Sequence, residues 1–347
     1  MKLLYATSMT YPSALANRVQ TLETARALAA RLGSDFTLGV SAGNPNMPVK
    51  VMGSAPSPLL ALRYLSLIRR EGYTHVLLRE ERLLFFLALY AKTLGIPARF
   101  YLEAHSIYRD LLLAPALRSA TGIIAITNGL REDLIKEFGI PSAKVAVVPD
   151  AVDAAAYERV ESKEAARRRL GLPQDAPLVM YAGRLDGWKG LETLLAAELP
   201  EHTELVIIGG KPPEVETLQR RHPKVRFLGQ RPYEELPQNL AAADVVVLPN
   251  TAREAISARH TSPLKLFAYL ASGTPLVASD LPSIREVVDE ASVTLVAPDD
   301  PAALAAGIAS VLADPEAAAV RAARARELVQ DYTWEKRAER LLAFIGR

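Results

Sequence analysis

Short apolar runs bounded by Gly, Pro, Asn and Ser alternate along this chain with longer segments whose apolar residues recur every three or four positions. The runs read as buried parallel strands and the segments between them as crossover helices. In the first half the pattern predicts strands at Leu3–Thr7, Phe36–Ser41, Tyr73–Arg79, Ala98–Glu103, Gly122–Thr127 and Val145–Pro149. In the second half it predicts Leu178–Gly183, Glu204–Gly209, Val225–Gly229, Val245–Pro249 and Thr274–Ala278. Between the halves lie a polar, helix-forming stretch, Asp153–Leu170, and then Gly171-Leu172-Pro173, where the domain boundary is placed. The result is an α/β chain with a domain over 1–155 and a second over 173–331. If two such sheets face each other, the carboxyl ends of their strands share one central cleft, where ligands of open parallel sheets bind.

The stretch His260–Val288, HTSPLKLFAYLASGTPLVASDLPSIREVV, is written as a helix start. Ser262 is placed to cap, and Pro263 suits a first turn that has no use for its missing N–H. Leu264, Leu266, Phe267 and Leu270 share one face, and Ser272-Gly273 ends the helix. A helix start presents N–H groups and a positive dipole end, which suit an anion such as phosphate; an ordinary capped helix has the same signature. Upstream, Tyr181-Ala182-Gly183-Arg184-Leu185-Asp186-Gly187-Trp188-Lys189-Gly190 places an Arg and a Lys in a loop after a predicted strand. Glu204–Gly210 ends in a glycine pair but lacks the continuation to GxGxxG, so no dinucleotide fingerprint is present. In the first half, Arg99–Glu103 runs into Ala104-His105-Ser106, a His in a polar turn at a strand end.

SPLKLFAYLASGTPLVASDLPSIREVV resembles the nucleotide-sugar segment of the retaining glycosyltransferases of family 4, the group 1 transferases. The Gly183–Gly190 loop resembles their "GRL…KG" signature. The resemblance covers the second domain from Leu178 to Val288 and the first more loosely. It implies the GT-B fold: two Rossmann-like domains facing a central cleft, with the C-terminal helix 332–347 packing back on the first. It also implies transfer of a hexose from a nucleoside-diphosphate sugar, with Arg184 and Lys189 on the pyrophosphate. Gly183, Leu228, His260, Thr261, Ser262, Pro263 and Leu264 would line the donor, and His105 would touch the transferred sugar. Arg184, Lys189 and His105 are therefore the expected catalytic set. Glu103 would orient His105 or bind an acceptor hydroxyl; Arg18, in a first helical turn beside Asn17 on the acceptor side, either meets an anionic acceptor or is an ordinary surface arginine. Lys265 reaches toward the diphosphate or is a solvated helix lysine. No Asp-x-Asp is seen, and neither a metal nor a cofactor is expected beyond the donor itself.

The chain departs from the family in three places. Relatives carry a Glu, seven residues and a second Glu across this loop and helix; here those positions are His260 and Ala268. The second Glu binds the ribose hydroxyls, which Ala268 cannot do. Ala268 is then an engineered inactivating substitution, a natural variation offset by another contact, or the mark of a non-catalytic paralogue. The glycine pair that relatives often have after the first strand is also missing, with Ala14 and Ala16 nearby instead.

Composition narrows the partners. Forty-one Lys and Arg against 39 Asp and Glu leave a net charge of +2 in 347 residues, giving no general reason to expect nucleic acid. There is no Cys, which excludes disulfides and thiolate metal sites and fits a cytoplasmic protein. Met1–Met9 is too briefly apolar for a secretory signal, and the longest apolar run, Leu83–Ala91, falls short of the roughly 20 residues needed to span a bilayer. Helix 59–70, LLALRYLSLIRR, mixes apolar and basic residues; it either lies on the cytoplasmic face of a membrane or packs on its own sheet. The acceptor class stays open among saccharide, lipid and small molecule. Two other activities fit the architecture: a nucleotide-sugar 2-epimerase, and a nucleotide-sugar-binding protein without turnover.

Overall fold

The computed structural model describes residues 1–13, 15–108, 110–185 and 187–347. Ala14 and Asp186, named above in two loops, lie outside the described residues. The chain divides into two compact units, Met1–Asp150 with Trp334–Arg347, and Ala151–Thr333. The helix Lys163–Leu170 thus belongs to the second unit and the C-terminal helix Trp334–Ile345 to the first.

The first unit holds a seven-stranded sheet of β1 (Leu3–Ala6), β2 (Phe36–Val40), β3 (Val49–Val51), β4 (His75–Leu78), β5 (Arg99–Ala104), β6 (Gly122–Ala125) and β7 (Val145–Val147). Its order is β3-β2-β1-β4-β5-β6-β7, and every pairing is parallel. The second unit holds β8 (Leu178–Ala182), β9 (Glu204–Ile208), β10 (Arg226–Gly229), β11 (Val245–Leu248), β12 (Leu276–Ser279) and β13 (Thr294–Val296) in a six-stranded parallel sheet. Its order is β10-β9-β8-β11-β12-β13. The central strands β1, β8 and β11 are buried along their whole length, as expected of strands covered on both faces.

Two strands were absent from the sequence pattern. β3 and β13 are three-residue edge strands without a fully buried residue, so neither wrote an apolar run. The predicted strand Thr274–Ala278 begins two residues later, at Leu276, where burial begins.

The helix Ser57–Glu71 buries Leu60, Ala61, Tyr64, Leu65, Leu67 and Ile68 within its own unit. The Tyr64 hydroxyl donates to Thr7 O at 2.7 Å, tying the helix to the carboxyl end of β1. Among the described residues no single helix is long and apolar enough to cross a membrane.

Each sheet reverses its strand order once, at β1/β4 in the first unit and at β8/β11 in the second. Crossovers on either side of such a point leave in opposite directions, which opens a crevice at the carboxyl ends of those two strands. In the second unit the crevice is formed with little room to spare. Gly190, at φ +72°, passes so close to the end of β11 that a Cβ would stand 1.6 Å from Pro249 O. Gly139 shares the left-handed backbone, φ +64°, but has nothing within 4 Å of that position. Gly139→Ala is therefore expected to cost about 1 kcal/mol of backbone strain. Gly190→Ala should cost at least about 2 kcal/mol more, because the backbone must also shift. Urea unfolding of the two variants side by side measures the difference.

Candidate active site

In the second unit β8 and β11 end side by side at the order reversal, and the loops leaving them carry most of the expected donor residues. After β8 the chain turns through Gly183, whose N–H donates to Ile208 O at 2.8 Å. Arg184 follows and is exposed, while its carbonyl accepts from the Tyr181 hydroxyl at 2.6 Å. Lys189 closes the loop, its Nζ 3.2 Å from the Trp188 ring centroid, a cation held on an aromatic face. The Trp188 carbonyl in turn accepts from Ser257 Oγ at 3.2 Å and from Thr251 N at 3.4 Å. The basic loop is thus tied to the segment that follows β11.

The helix Leu264–Ser272 begins at the same end of the sheet. Ser262 was expected to cap it and Pro263 to lie in its first turn; instead Pro263 is the N-cap residue, at φ −73° and ψ 121°, and its own side chain makes no capping bond. Pro263 takes that place because its ψ is extended, which puts Ser262 one residue too far back. The C-terminus follows expectation, with Gly273 left-handed at φ 71°. From this helix the Tyr269 hydroxyl accepts from Ala182 N at 2.8 Å and donates to Ala182 O at 3.1 Å. Burial pushes the Tyr269 phenol well above its usual range, so it keeps the proton it donates. One turn earlier, Lys265 Nζ donates to the Tyr181 hydroxyl at 2.8 Å and lies 4.1 Å from the Tyr181 ring centroid. The two motifs, separated by some eighty positions, therefore meet at the end of β8.

Other expected donor residues surround this point to differing degrees. His260 ends the Ile256–His260 turn and is buried, as are Ser262 and Pro263; Thr261, Leu264 and, on β10, Leu228 are half-buried. Ala268 is 1% exposed and packed among Leu266, Phe267, Tyr269 and Leu270. Asn250, just past β11, escaped the sequence reading. It is 0% exposed, and neither amide atom has a hydrogen-bond partner among the described residues. A buried amide in that condition is costly unless something else completes it. Its only sequence signal was a polar residue directly after an apolar strand.

In the first unit His105 stands just beyond β5, its side chain 20% exposed, with Nε2 2.6 Å from Glu103 Oε1. Glu103 is 0% exposed and also accepts from Gln20 Nε2 at 2.6 Å and, more distantly, from the Tyr5 hydroxyl at 3.4 Å. Arg337 Nη2 stands 2.9 Å from the same Oε1. A carboxylate so enclosed has no face for an acceptor hydroxyl, which corrects that half of the expectation for Glu103. Burial alone would raise its pKa, but Arg337, with His105 and Arg79, outweighs burial and holds it well below the carboxylate range. His105 is held below its usual value, by burial first and Arg79 second, against the pull of Glu103 and Asp150. Asn17 and Arg18 lie in the first turn of the helix Ala16–Leu32. Asn17 O accepts from Arg79 at 3.1 Å, and Arg18 Nη1 donates back to Thr10 O at 3.1 Å. Beside them Glu80 Oε1 accepts from both Ser8 N and Ser8 Oγ at 2.9 Å, closing the ends of β1 and β4 together. Among the described residues no group of three or more His, Asp or Glu is arranged to hold a metal ion.

Known proteins give this geometry a context. The D-inositol 3-phosphate glycosyltransferase of Xylanimonas cellulosilytica is 32% identical over 243 residues, 65% of this chain and 56% of that protein. The glycogen synthase of Mycobacterium tuberculosis is 33% identical over 235 residues, 63% of this chain and 52% of that protein. The chain thus spans about half the length of the curated relatives it matches. Among solved structures, Anabaena Alr3699/HepE in complex with UDP superposes with a TM-score of 0.81 at 20% identity, covering 100% of both chains. Sucrose-phosphate synthase from Thermosynechococcus elongatus gives 0.79 at 21% identity, covering 98% of this chain and 97% of that one. These likenesses show the fold, two parallel-sheet α/β domains of the GT-B type. The family described as Glycosyl transferases group 1 matches residues 176–314, and Glycosyltransferase Family 4 matches residues 19–156. With a match in each of its two units, the chain belongs to the group 1, family 4 glycosyltransferases.

Proposed function

We propose that this protein transfers a hexose from a nucleoside-diphosphate sugar to an acceptor hydroxyl with retention of configuration. The observation that carries this reading is the meeting of Lys265 with Tyr181 at the end of β8. It brings the start of the Leu264–Ser272 helix to the end of β8, where the loop carrying Arg184 and Lys189 begins. Breaking the bond between sugar C1 and the diphosphate leaves new negative charge on the leaving oxygen. Fixed cations and a helix dipole stabilise that charge without reorganising during the step. Arg184 and Lys189 are assigned to the pyrophosphate, the Ser262–Leu264 backbone to phosphate oxygens and His105 to the sugar. The acceptor oxygen bonds to C1 on the face the diphosphate leaves, and its proton passes to the departing phosphate oxygen. The UDP and UDP-glucose complexes of the Anabaena neighbour support a uridine or similar diphosphate as donor. The burial of the apolar stripe of helix Ser57–Glu71 supports a helix packed on its own sheet over one lying in a membrane.

Arg184 is exposed, so its loss should leave folding intact while removing a charged contact. Arg184→Ala and Lys189→Ala are each expected to weaken nucleoside-diphosphate binding by about tenfold or more, read by calorimetry. Unchanged affinity in both would remove the donor assignment.

Ala268 provides a second test. If it faces the ribose, Ala268→Glu should tighten nucleoside-diphosphate binding about tenfold to a hundredfold. Because Ala268 is 1% exposed, a glutamate without a ribose partner would be a buried charge. Lower thermal stability with no gain in affinity would show that this position belongs to the core and not to the donor.

A further inference from the structure

Arg337 lies on the buried face of the C-terminal helix, between Trp334 and Leu341, and is 1% exposed. Its Nη1 donates to Val148 O at 2.7 Å and to Pro149 O; its Nε donates to Thr24 Oγ1 at 3.2 Å. Its Nη2 faces Glu103 at 2.9 Å and Asp150 at 4.0 Å. Docking the helix does not call for this residue. Trp334, Ala338, Leu341 and Ile345 supply an apolar face, and a well-packed apolar side chain often serves as well as a buried ion pair. What an apolar residue cannot do is keep Glu103 ionised.

Ionised Glu103 only accepts hydrogen bonds, so the His105 nitrogen against it, Nε2, must be the one that carries the proton. In the neutral ring Nδ1 then holds the lone pair and is the acceptor. With a proton on Glu103 the carboxyl could donate to Nε2, and the ring would present Nδ1–H instead. Given the assignment of His105 to the transferred sugar, we propose that Arg337 is a positioning residue for His105, acting through Glu103. It sets the ring to accept from a sugar hydroxyl. The charged groups acting on His105 are Arg79 beyond β4, Glu103 on β5, Asp150 beyond β7 and, through Glu103, Arg337 on the C-terminal helix. Arg79 is fixed by Asn17 O, Thr21 Oγ1 and Gln20, whose own amide holds Glu103.

The test is a pH titration of the histidine ring nitrogens by NMR, on the full chain with ¹⁵N-labelled histidine and with His105→Gln identifying the signal. The wild type should show His105 neutral at pH 7.5 with the proton on Nε2. Arg337→Met removes the charge that keeps Glu103 ionised, so Glu103 should take up a proton and the His105 proton should move from Nε2 to Nδ1 at pH 7.5. Arg337→Lys should restore most of the wild-type titration, and the pH dependence of transfer should follow the same order. A folded Arg337→Met protein in which His105 still carries its proton on Nε2 would overturn the proposal. If Arg337→Met does not fold, Glu103→Gln decides: a lowered His105 pKa supports the relay and an unchanged one refutes it. Nucleoside-diphosphate affinity should be unaltered in these variants. A titration that moves as expected while His105→Gln leaves transfer intact would remove His105 from the sugar but leave the relay standing.

Discussion

The hydroxyl of Tyr269 bonds both the N–H and the carbonyl of Ala182, the last residue of β8. This contact sets where the Leu264–Ser272 helix sits on its sheet, and the rest of the crevice at the end of β8 follows from it. With Tyr269 seated, Lys265 one turn earlier falls onto Tyr181, and Tyr181 steadies the carbonyl of Arg184. The helix start is thereby held near the basic loop. Because the hydroxyl is buried and its proton retained, neither bond is in competition with water. Gly190 passes close against Pro249, which brings the far end of the loop to the end of β11.

The first unit solves a different problem. A histidine at a strand end has two nitrogens and three protonation states, and only one arrangement suits a given hydrogen bond. Here the choice is made by a carboxylate without access to water, paired with a guanidinium from the last helix of the chain. Burial raises the cost of ionising Glu103, and Arg337, His105 and Arg79 outweigh it. Gln20 and Thr24 place the Ala16–Leu32 helix in the same network, so the surroundings of His105 draw on both ends of the chain.

The sheet strands were legible in the sequence because parallel strands covered on both faces write continuous apolar runs. β3 and β13 were not, because short edge strands bury too little to leave a pattern. The Leu264 helix was legible from its apolar face and its terminal glycine, but its start was misplaced, since Pro263 suits an N-cap as readily as a first turn. The Arg184 and Lys189 loop was visible as a motif; its contact with Lys265 was not, because pairing at that distance along the chain is a property of the fold. Arg337 was the least visible. In sequence it is one basic residue among several in an amphipathic tail, and only the return of that helix brings it to Glu103. The one local hint was Glu103 itself, a charge inside an otherwise apolar strand, which has to be paired if it is buried.

The donor assignment rests on three cations and a helix start acting on one diphosphate. A crystal structure of the protein soaked with a nucleoside diphosphate addresses it without relying on activity. The β-phosphate is expected within hydrogen-bonding distance of the Arg184 guanidinium, of the Lys189 or Lys265 ammonium, and of backbone N–H groups at the start of the Leu264 helix. A diphosphate bound elsewhere on the chain, with Arg184 and Lys189 left in solvent, would contradict it.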